Sequence, residues 1–329
     1  MADLPSKHDA ASNQSGFHQL TALSSLTILF VAETTCNYKF SFMPGFFIDY
    51  VEAAQHYPEG KVQTQPRLGI LTRDYDGEDP VVPHARQWKR LAKYIKRLNA
   101  ASKDGESYKI LYVIRHGFGI HNQVMEEVGR EAWRAEWSLR DGDGVRVWAD
   151  AHLAPAGYRQ AEDLRQSWFT GMTKDKIPVP QSLYTSPLAR CLETTKVVYE
   201  SYYGEWFEPI VKELLRERLT NHPCDKRSNK SWIVEHYDRA IFDPDFTEED
   251  LLWKADRTES EEDHIARKQK LLEDIFSHDD NPFISLTTHS YAFSALLAVI
   301  GAAKFRLGEG VMVPLFIKGE KVAPEQPKS

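Results

Sequence analysis

The stretch "ILYVIRHGFGIHN" carries an apolar strand pattern straight into Arg115, His116 and Gly117. Three other strand-like runs also end on groups that can do chemistry. "SLYT" is followed by Ser186 and Arg190, "EPIVKEL" by Arg216 and Glu217, and "FISLTT" by His289. In open α/β sheets, ligands bind beyond the carboxyl ends of the strands, so these groups would converge on one rim. A neutral imidazole is a good nucleophile toward phosphorus, and its phospho-adduct is reactive enough to be hydrolysed. Two guanidinium forks can hold phosphoryl oxygens and balance the charge that spreads in the transition state. A nearby carboxyl can protonate the leaving oxygen and then take a proton from the attacking water. Neither metal nor cofactor is needed for this chemistry. Each residue alone has a plainer reading. Arg115-His116-Gly117 could be a turn, Arg190 a solvated helix cation, His289 a core histidine heading "SYAFSALLAV", and Glu217 a partner of Arg216 or Arg218. Their joint placement after four strands argues for a site.

The elements that must hold these groups are readable from periodicity. Trp88, Leu91, Ile95 and Leu98 recur at helical spacing in "ARQWKRLAKYIKRLNA", with lysines and arginines opposite. Residues 110–114 are continuously apolar, the pattern of a strand covered on both faces. The spacing predicts helices over Gln123 to Trp137, over "LAPAGYRQAEDLRQSWF" and over "ESEEDHIARKQKLLEDIFSH". Ser186 and Pro187 suit the cap and first position of a helix, which sets Arg190 on an opening turn whose free N–H groups favour an anion. "GVMVPLFIKG" supplies a last strand. Alternating strands and helices predict an α/β fold, a three-layer α/β/α sandwich with a mainly parallel central sheet. Residues 1–36 are expected to form a flexible arm, 37–318 one domain, and 319–329 a frayed tail. The polar, aromatic stretch at about 221–262 is expected to be an inserted cap segment over one face.

Composition narrows the function classes. With 42% apolar and 27% charged residues, the 329-residue chain has the make-up of an ordinary globular protein. Its net charge of −7 is spread without a basic stripe, which argues against nucleic acid and membrane surfaces as partners. An anionic small molecule would therefore be held by a few placed cations. Cys36, Cys191 and Cys224 make an odd count without C-x-x-C spacing, against a disulfide framework or zinc cluster. The apolar part of "LSSLTILFVAE" is too short to span a bilayer and begins late. A cytoplasmic location is the expectation.

The string "RHGFGIHN" resembles the signature of the histidine phosphatase superfamily, also called the phosphoglycerate mutase-like family. "LAPAGYRQA", "TSPLARCLETT", "LLRERLTNHPCDKR" and "TTHSYAFSALL" follow in the family's order. "FMPGFFID" and "LWKADRTESEEDHIARKQKLL" are similar to its fungal branch. The resemblance covers roughly residues 38–318. It implies that His116 is the nucleophile that becomes phosphohistidine, that Arg115 and Arg190 line the phosphate pocket, and that His289 is its second histidine. Asn122, at the signature's polar position, is implied to help bind the phosphoryl group. Glu217 resembles the proton donor of the branch carrying Leu-Arg-Glu, with Glu213 as the rival. His222, Asp225, Lys226 and Arg227 read either as contacts to the substrate's distal part or as an internal ion-pair network around Cys224. Arg257 resembles an arginine of the capping segment, or else opens a solvated helix. His121 either lines the rim or caps the next helix.

One position departs from the pattern. Where relatives often carry glutamate or glutamine, this chain has Phe118, which makes the mouth more apolar and disfavours a small polar substrate such as phosphoglycerate. Trp232, Tyr237, Phe242, Phe246 and Trp253 crowd the insertion. The expectation is a small-molecule phosphomonoester with a hydrophobic or aromatic body, hydrolysed without metal or cofactor. Mutase-type phosphoryl transfer is the alternative within the same chemistry. A redeployed pocket running acid/base chemistry on a secondary metabolite is the alternative outside it.

Overall fold

The computed structural model describes residues 37–77 and 86–322. The expected N-terminal arm, the segment 78–85 and residues 323–329 lie outside the described residues. In chain order the first elements are β1 (Asn37–Phe42), α1 (Tyr50–Ala54), β2 (Lys61–Val62), α2 (Gln87–Ala101), β3 (Glu106–Arg115), α3 (Ile120–Val128) and α4 (Arg130–Ala135). The middle of the chain gives α5 (Pro155–Thr170), β4 (Ser182–Thr185), α6 (Ala189–Tyr203), β5 (Ile210–Val211), α7 (Lys230–His236) and β6 (Ile241–Phe242). The last elements are α8 (Glu261–His278), β7 (Phe283–Thr288), α9 (Ser290–Val299), β8 (Arg306–Leu307) and β9 (Met312–Val322).

Seven strands form one sheet in the order β1-β9-β3-β7-β4-β5-β6. β3, β7, β4, β5 and β6 run parallel, whereas β9 is antiparallel to both β3 and β1. The mainly parallel α/β architecture expected from the sequence is therefore present. Residues 109–115 of β3 and all of β7 are buried, so both faces of the central strands are covered. Trp88, Leu91 and Ile95 of α2 are fully buried in the core that β3 shares. Each such side chain contributes roughly 1.5–3 kcal/mol through burial. Truncating one, for example Leu111→Ala, costs on the order of 2–5 kcal/mol. The β-strand register delivers Arg115 opposite Thr288 at the ends of β3 and β7, which puts His116 and His289 side by side.

Four expectations are corrected. β9 continues to Val322, paired with Asn37, so residues 319–322 belong to the sheet rather than to a tail. The helix expected from Gln123 to Trp137 breaks at Gly129, whose φ of +84° ends α3 and starts α4. α6 begins at Ala189 rather than at Pro187, and its first N–H is taken by Asp150 Oδ1 at 2.9 Å, a cap supplied from a distant loop. The insertion is more than a cap: it contributes β6 to the sheet edge beyond β5, and α8 already starts at Glu261. Its aromatics Trp232, Tyr237, Phe242 and Phe246 pack with Leu192, Val211 and Ile233 in a core of their own. Among the described residues no helix is long and apolar enough to cross a membrane.

Candidate functional site

β3 ends at Arg115, and the next residue, His116, is buried. Its Nδ1 lies 2.7 Å from the Gly117 carbonyl. A carbonyl can only accept, so Nδ1 carries the ring proton and Nε2 keeps its lone pair. Arg190 Nε stands 3.3 Å from that Nε2 and donates to it. Burial first, then the charges of Arg190 and Arg115, hold the His116 pKa well below its ordinary value. A neutral imidazole with an unprotonated, oriented nitrogen is what nucleophilic attack requires.

Arg190 is buried on the opening turn of α6. Its Nη1 donates to the Cys224 carbonyl at 2.7 Å, and its Nη2 lies 3.5 Å from Asp225 Oδ1. Arg115 donates Nη1 to the Leu307 carbonyl and pairs Nη2 with Glu309, both at 2.7 Å. Its Nε is buried without a partner, an unmatched donor in the pocket. His289 heads α9, its ring 5.1 Å from that of His116, with Nε2 2.8 Å from Ser186 Oγ. The His121 ring is 5.8 Å from His116 and its Nδ1 is likewise buried and unpartnered. Burial and Arg190 depress the pKa of both rings. The structure thus brings together four positively charged or hydrogen-donating side chains around one imidazole.

The carboxyl of Glu217 accepts N–H groups from Ala292 at 2.8 Å, Arg218 at 3.0 Å and Tyr291 at 3.1 Å. Burial and then the charge of Asp225 raise its pKa, against those amides and Arg190, which lower it. Glu213, the rival, is turned elsewhere. It pairs with Arg216 at 3.0 Å and with Arg227.

The remaining expected residues divide. Asn122 is buried, and its Oδ1 accepts the Gly119 N–H at 3.0 Å, which leaves its amide nitrogen as the group able to meet a ligand. Phe118 is half-buried, with its backbone fixed by Gln160 Oε1 at 2.7 Å and Ala154 N–H at 2.9 Å. Arg227 is fully buried and donates to carbonyls of Ser228, Thr247, Glu248 and Glu249, so it anchors the insertion. Lys226 lies over the Trp253 ring, whose Nε1 donates to the His222 carbonyl at 3.0 Å. Arg257 is exposed and makes no hydrogen bond or ion pair among the described residues. His222, Cys224 and Asp225 bring ligand atoms within 4.8 Å of one another, the spacing of a metal site. Both Asp225 oxygens are nevertheless engaged, Oδ2 by the Thr220 hydroxyl at 2.6 Å and Oδ1 by Arg190. Cys224 packs in the apolar cluster of Val124, Trp133 and Trp148. Sequence reasoning missed Glu309 and Asp150, which sit in loops with no motif around them.

"LAPAGYRQA" has a steric role. A Cβ on Gly117 would stand 2.5 Å from the Gly157 carbonyl oxygen, and one on Gly157 would strike the backbone of Phe118. The head of α5 can pack against the His116 turn only because both positions are glycine.

The model of the histidine phosphatase superfamily (branch 1) matches residues 111–310. A protein of Arthroderma benhamiae named "Probable phosphoglycerate mutase" is 38% identical over 296 residues, 88% of this chain and 88% of its own. "Phosphomutase-like protein 3" of Candida albicans is 30% identical over 314 residues, 94% of this chain and 90% of its own. Among solved structures, the alpha-ribazole phosphatase of Shigella flexneri matches with a TM-score of 0.39 at 16% identity, covering 62% of this chain and 88% of that one.

Proposed function

The chain belongs to the histidine phosphatase superfamily, and from that premise we propose that it is a metal-independent phosphomonoesterase working through phosphohistidine. The observation that carries this reading is the His116 ring, proton on Nδ1 and lone pair on Nε2, beside the Arg190 guanidinium. Nε2 attacks phosphorus, the P–O bond to the alcohol breaks, and protonated Glu217 gives its proton to the departing oxygen. Water then attacks the phosphorus, Glu217 takes the water's proton, and the P–N bond breaks to release phosphate and restore His116. Arg115 Nε, Arg190 and His289 are assigned to the phosphoryl oxygens, where fixed donors act most strongly as charge develops. Asn122 and His121 complete the donors around them.

The substrate side is inferred from what borders the carboxyl and the His116 turn. Phe118 is half-buried two residues past His116, and Tyr291, 61% exposed, donates its N–H to Glu217. His222, Lys226 and Trp253 form a cluster in the segment that follows Glu217, while the other insertion aromatics are used up in their own core. These support a monoester with a hydrophobic or aromatic body. Arg257 is assigned to the substrate's outer end. Turnover no better for aryl and alkyl esters than for sugar phosphates would remove the idea. Two buried free thiols, Cys191 and Cys224, fit a reducing, cytoplasmic setting.

The decisive test is rapid mixing with a labelled aryl phosphate, quenched into alkaline detergent. The expected result is protein-bound label that brief acid treatment removes and that His116→Ala abolishes together with turnover. Full activity in His116→Ala would reject the mechanism. The names of the fungal relatives favour a mutase as the second reading. In that case label would pass to a second hydroxyl of an added phosphoglycerate rather than to water. A native protein inert toward a broad ester panel would instead favour a pocket redeployed for acid/base chemistry.

A further inference from the structure

α8 turns an unusual face toward the segment that carries Glu217. His264, Arg267, Lys268, Leu271, Leu272 and Ile275 are all buried on it, so three basic side chains share the apolar stripe. Arg267 donates to the carbonyls of Arg216 at 3.0 Å and Glu217 at 2.9 Å, and its charge is met by a two-point pair with Glu259 at 2.8 and 2.6 Å. Lys268 is different. It is fully buried, its Nζ donates to the carbonyls of Leu214 at 2.5 Å and Arg216 at 2.8 Å, and among the described residues it has no ion pair with a carboxylate. A lysine in an apolar stripe without a counter-ion is costly, and two carbonyl bonds alone could be supplied by less expensive means.

We propose that Lys268 is a positioning residue for the proton-donating carboxyl: seated on the carbonyls of Leu214 and Arg216, its ammonium fixes the segment that carries Glu217 and sets a positive charge beside it. The inference rests on the phosphomonoesterase reading above. The charged groups that act on Glu217 are Arg190 of α6, Arg115 of β3, Asp225 and Lys268. Lys268 in turn feels Arg267 on its own helix, Glu259 just before it, and Arg216 and Glu217 opposite, and it acts on His264 and on His289 at the head of α9. Burial, with Arg267 next, holds the Lys268 pKa well below its ordinary value, which the Glu217 and Glu259 charges oppose. The acid would thus carry built-in opponents: burial and Asp225 push it toward the neutral, donating form, while the Tyr291 and Arg218 amides, Arg190 and, added to these, Lys268 pull it back. Such opposition keeps the carboxyl able both to give a proton and to take one back within a single turnover.

The test is the pH profile of kcat/KM on an ester with a poor leaving group, for wild type, Lys268→Met, Lys268→Arg and Glu217→Gln. Glu217 must be protonated to act, so its ionisation sets the alkaline limb. Removing a nearby positive charge raises that limb by roughly one pH unit in Lys268→Met. Lys268→Arg, which keeps the charge, should leave it in place. If Lys268→Met does not fold, Lys268→Gln, which retains a donor without charge, is read for the same shift. A limb that stays put in the charge-free variants, while absent from Glu217→Gln, overturns the lysine's role and leaves the mechanism standing. A limb that survives in Glu217→Gln overturns both.

Discussion

Glu217 Oε1 accepts the backbone N–H of Ala292 at 2.8 Å, so the carboxyl caps the very helix that His289 opens. Acid and second histidine are thereby one mechanical unit. A carboxylate on a helix N-terminus is stabilised by free N–H groups and the helix dipole, and protonation must weaken that hold.

Glu217→Gln and Glu217→Ala should separate these two jobs. Both lose proton donation, so turnover of alkyl phosphates should fall by about 10²–10⁴, and that of nitrophenyl esters far less. The amide can still accept an N–H, whereas Ala cannot, so Ala alone should cost about 1 kcal/mol of stability in urea unfolding. Equal losses on good and poor leaving groups would assign the proton donor elsewhere.

Arg190→Lys should not be conservative. The guanidinium donates to His116, to the Cys224 carbonyl and toward Asp225 at once, and an ammonium cannot reproduce that fork. We expect kcat to drop by about 10²–10³, in the range of a lost oxyanion donor. Kinetics within threefold of wild type would take Arg190 out of the mechanism.

His264 offers a clean pH test away from the chemistry. Burial, then the charges of Lys268 and Arg267, push its pKa down to about 2. The unfolded chain therefore binds a proton below pH 6.5 that the native state refuses until far lower, so this residue costs stability as pH falls. Relative to wild type, His264→Gln should gain about 1.6 kcal/mol in all between pH 6.5 and 5, the slope approaching about 1.4 kcal/mol per pH unit at the acid end. Urea unfolding of both proteins at three pH values measures it, and a constant difference would refute the buried neutral ring.

Gly157→Ala places a methyl against the Phe118 backbone and so pushes on the His116 turn from outside the pocket. Loss of activity larger than the loss of stability is the expected signature. An unchanged kcat would mean that the two segments separate without consequence.

Much of the candidate site's placement was legible because strand ends concentrate it. The apolar run before Arg115 and the strand before His289 pair in register, so reading two strand termini was enough to set two imidazoles together. What was not legible lies in tertiary charge balance. Glu309 looks like a surface acid in the sequence, yet it partners a pocket arginine, and of the two readings open for Asp225 it takes the ion-pair one, beside Arg190 and the Cys224 carbonyl. Arg227 reads either as a ligand contact or as part of an internal network, and it is the latter: it pairs with Glu213 and donates to four carbonyls of the insertion. Lys268 could have been suspected, because it falls on the same helical face as Leu271, Leu272 and Ile275. β6 is two residues long, too short for any periodicity to register.

That two-residue strand sets a limit on how the protein can be re-engineered. Because β6 closes the free side of β5, excising the insertion to widen the entrance would leave β5 as a bare edge, a template for pairing with another molecule. Glu213 would also lose its partner Arg227, and Leu192 and Val211 their aromatic cover. Loop swaps between relatives aimed at new substrates should therefore cut outside residues 227–250, or expect aggregation before they meet altered specificity.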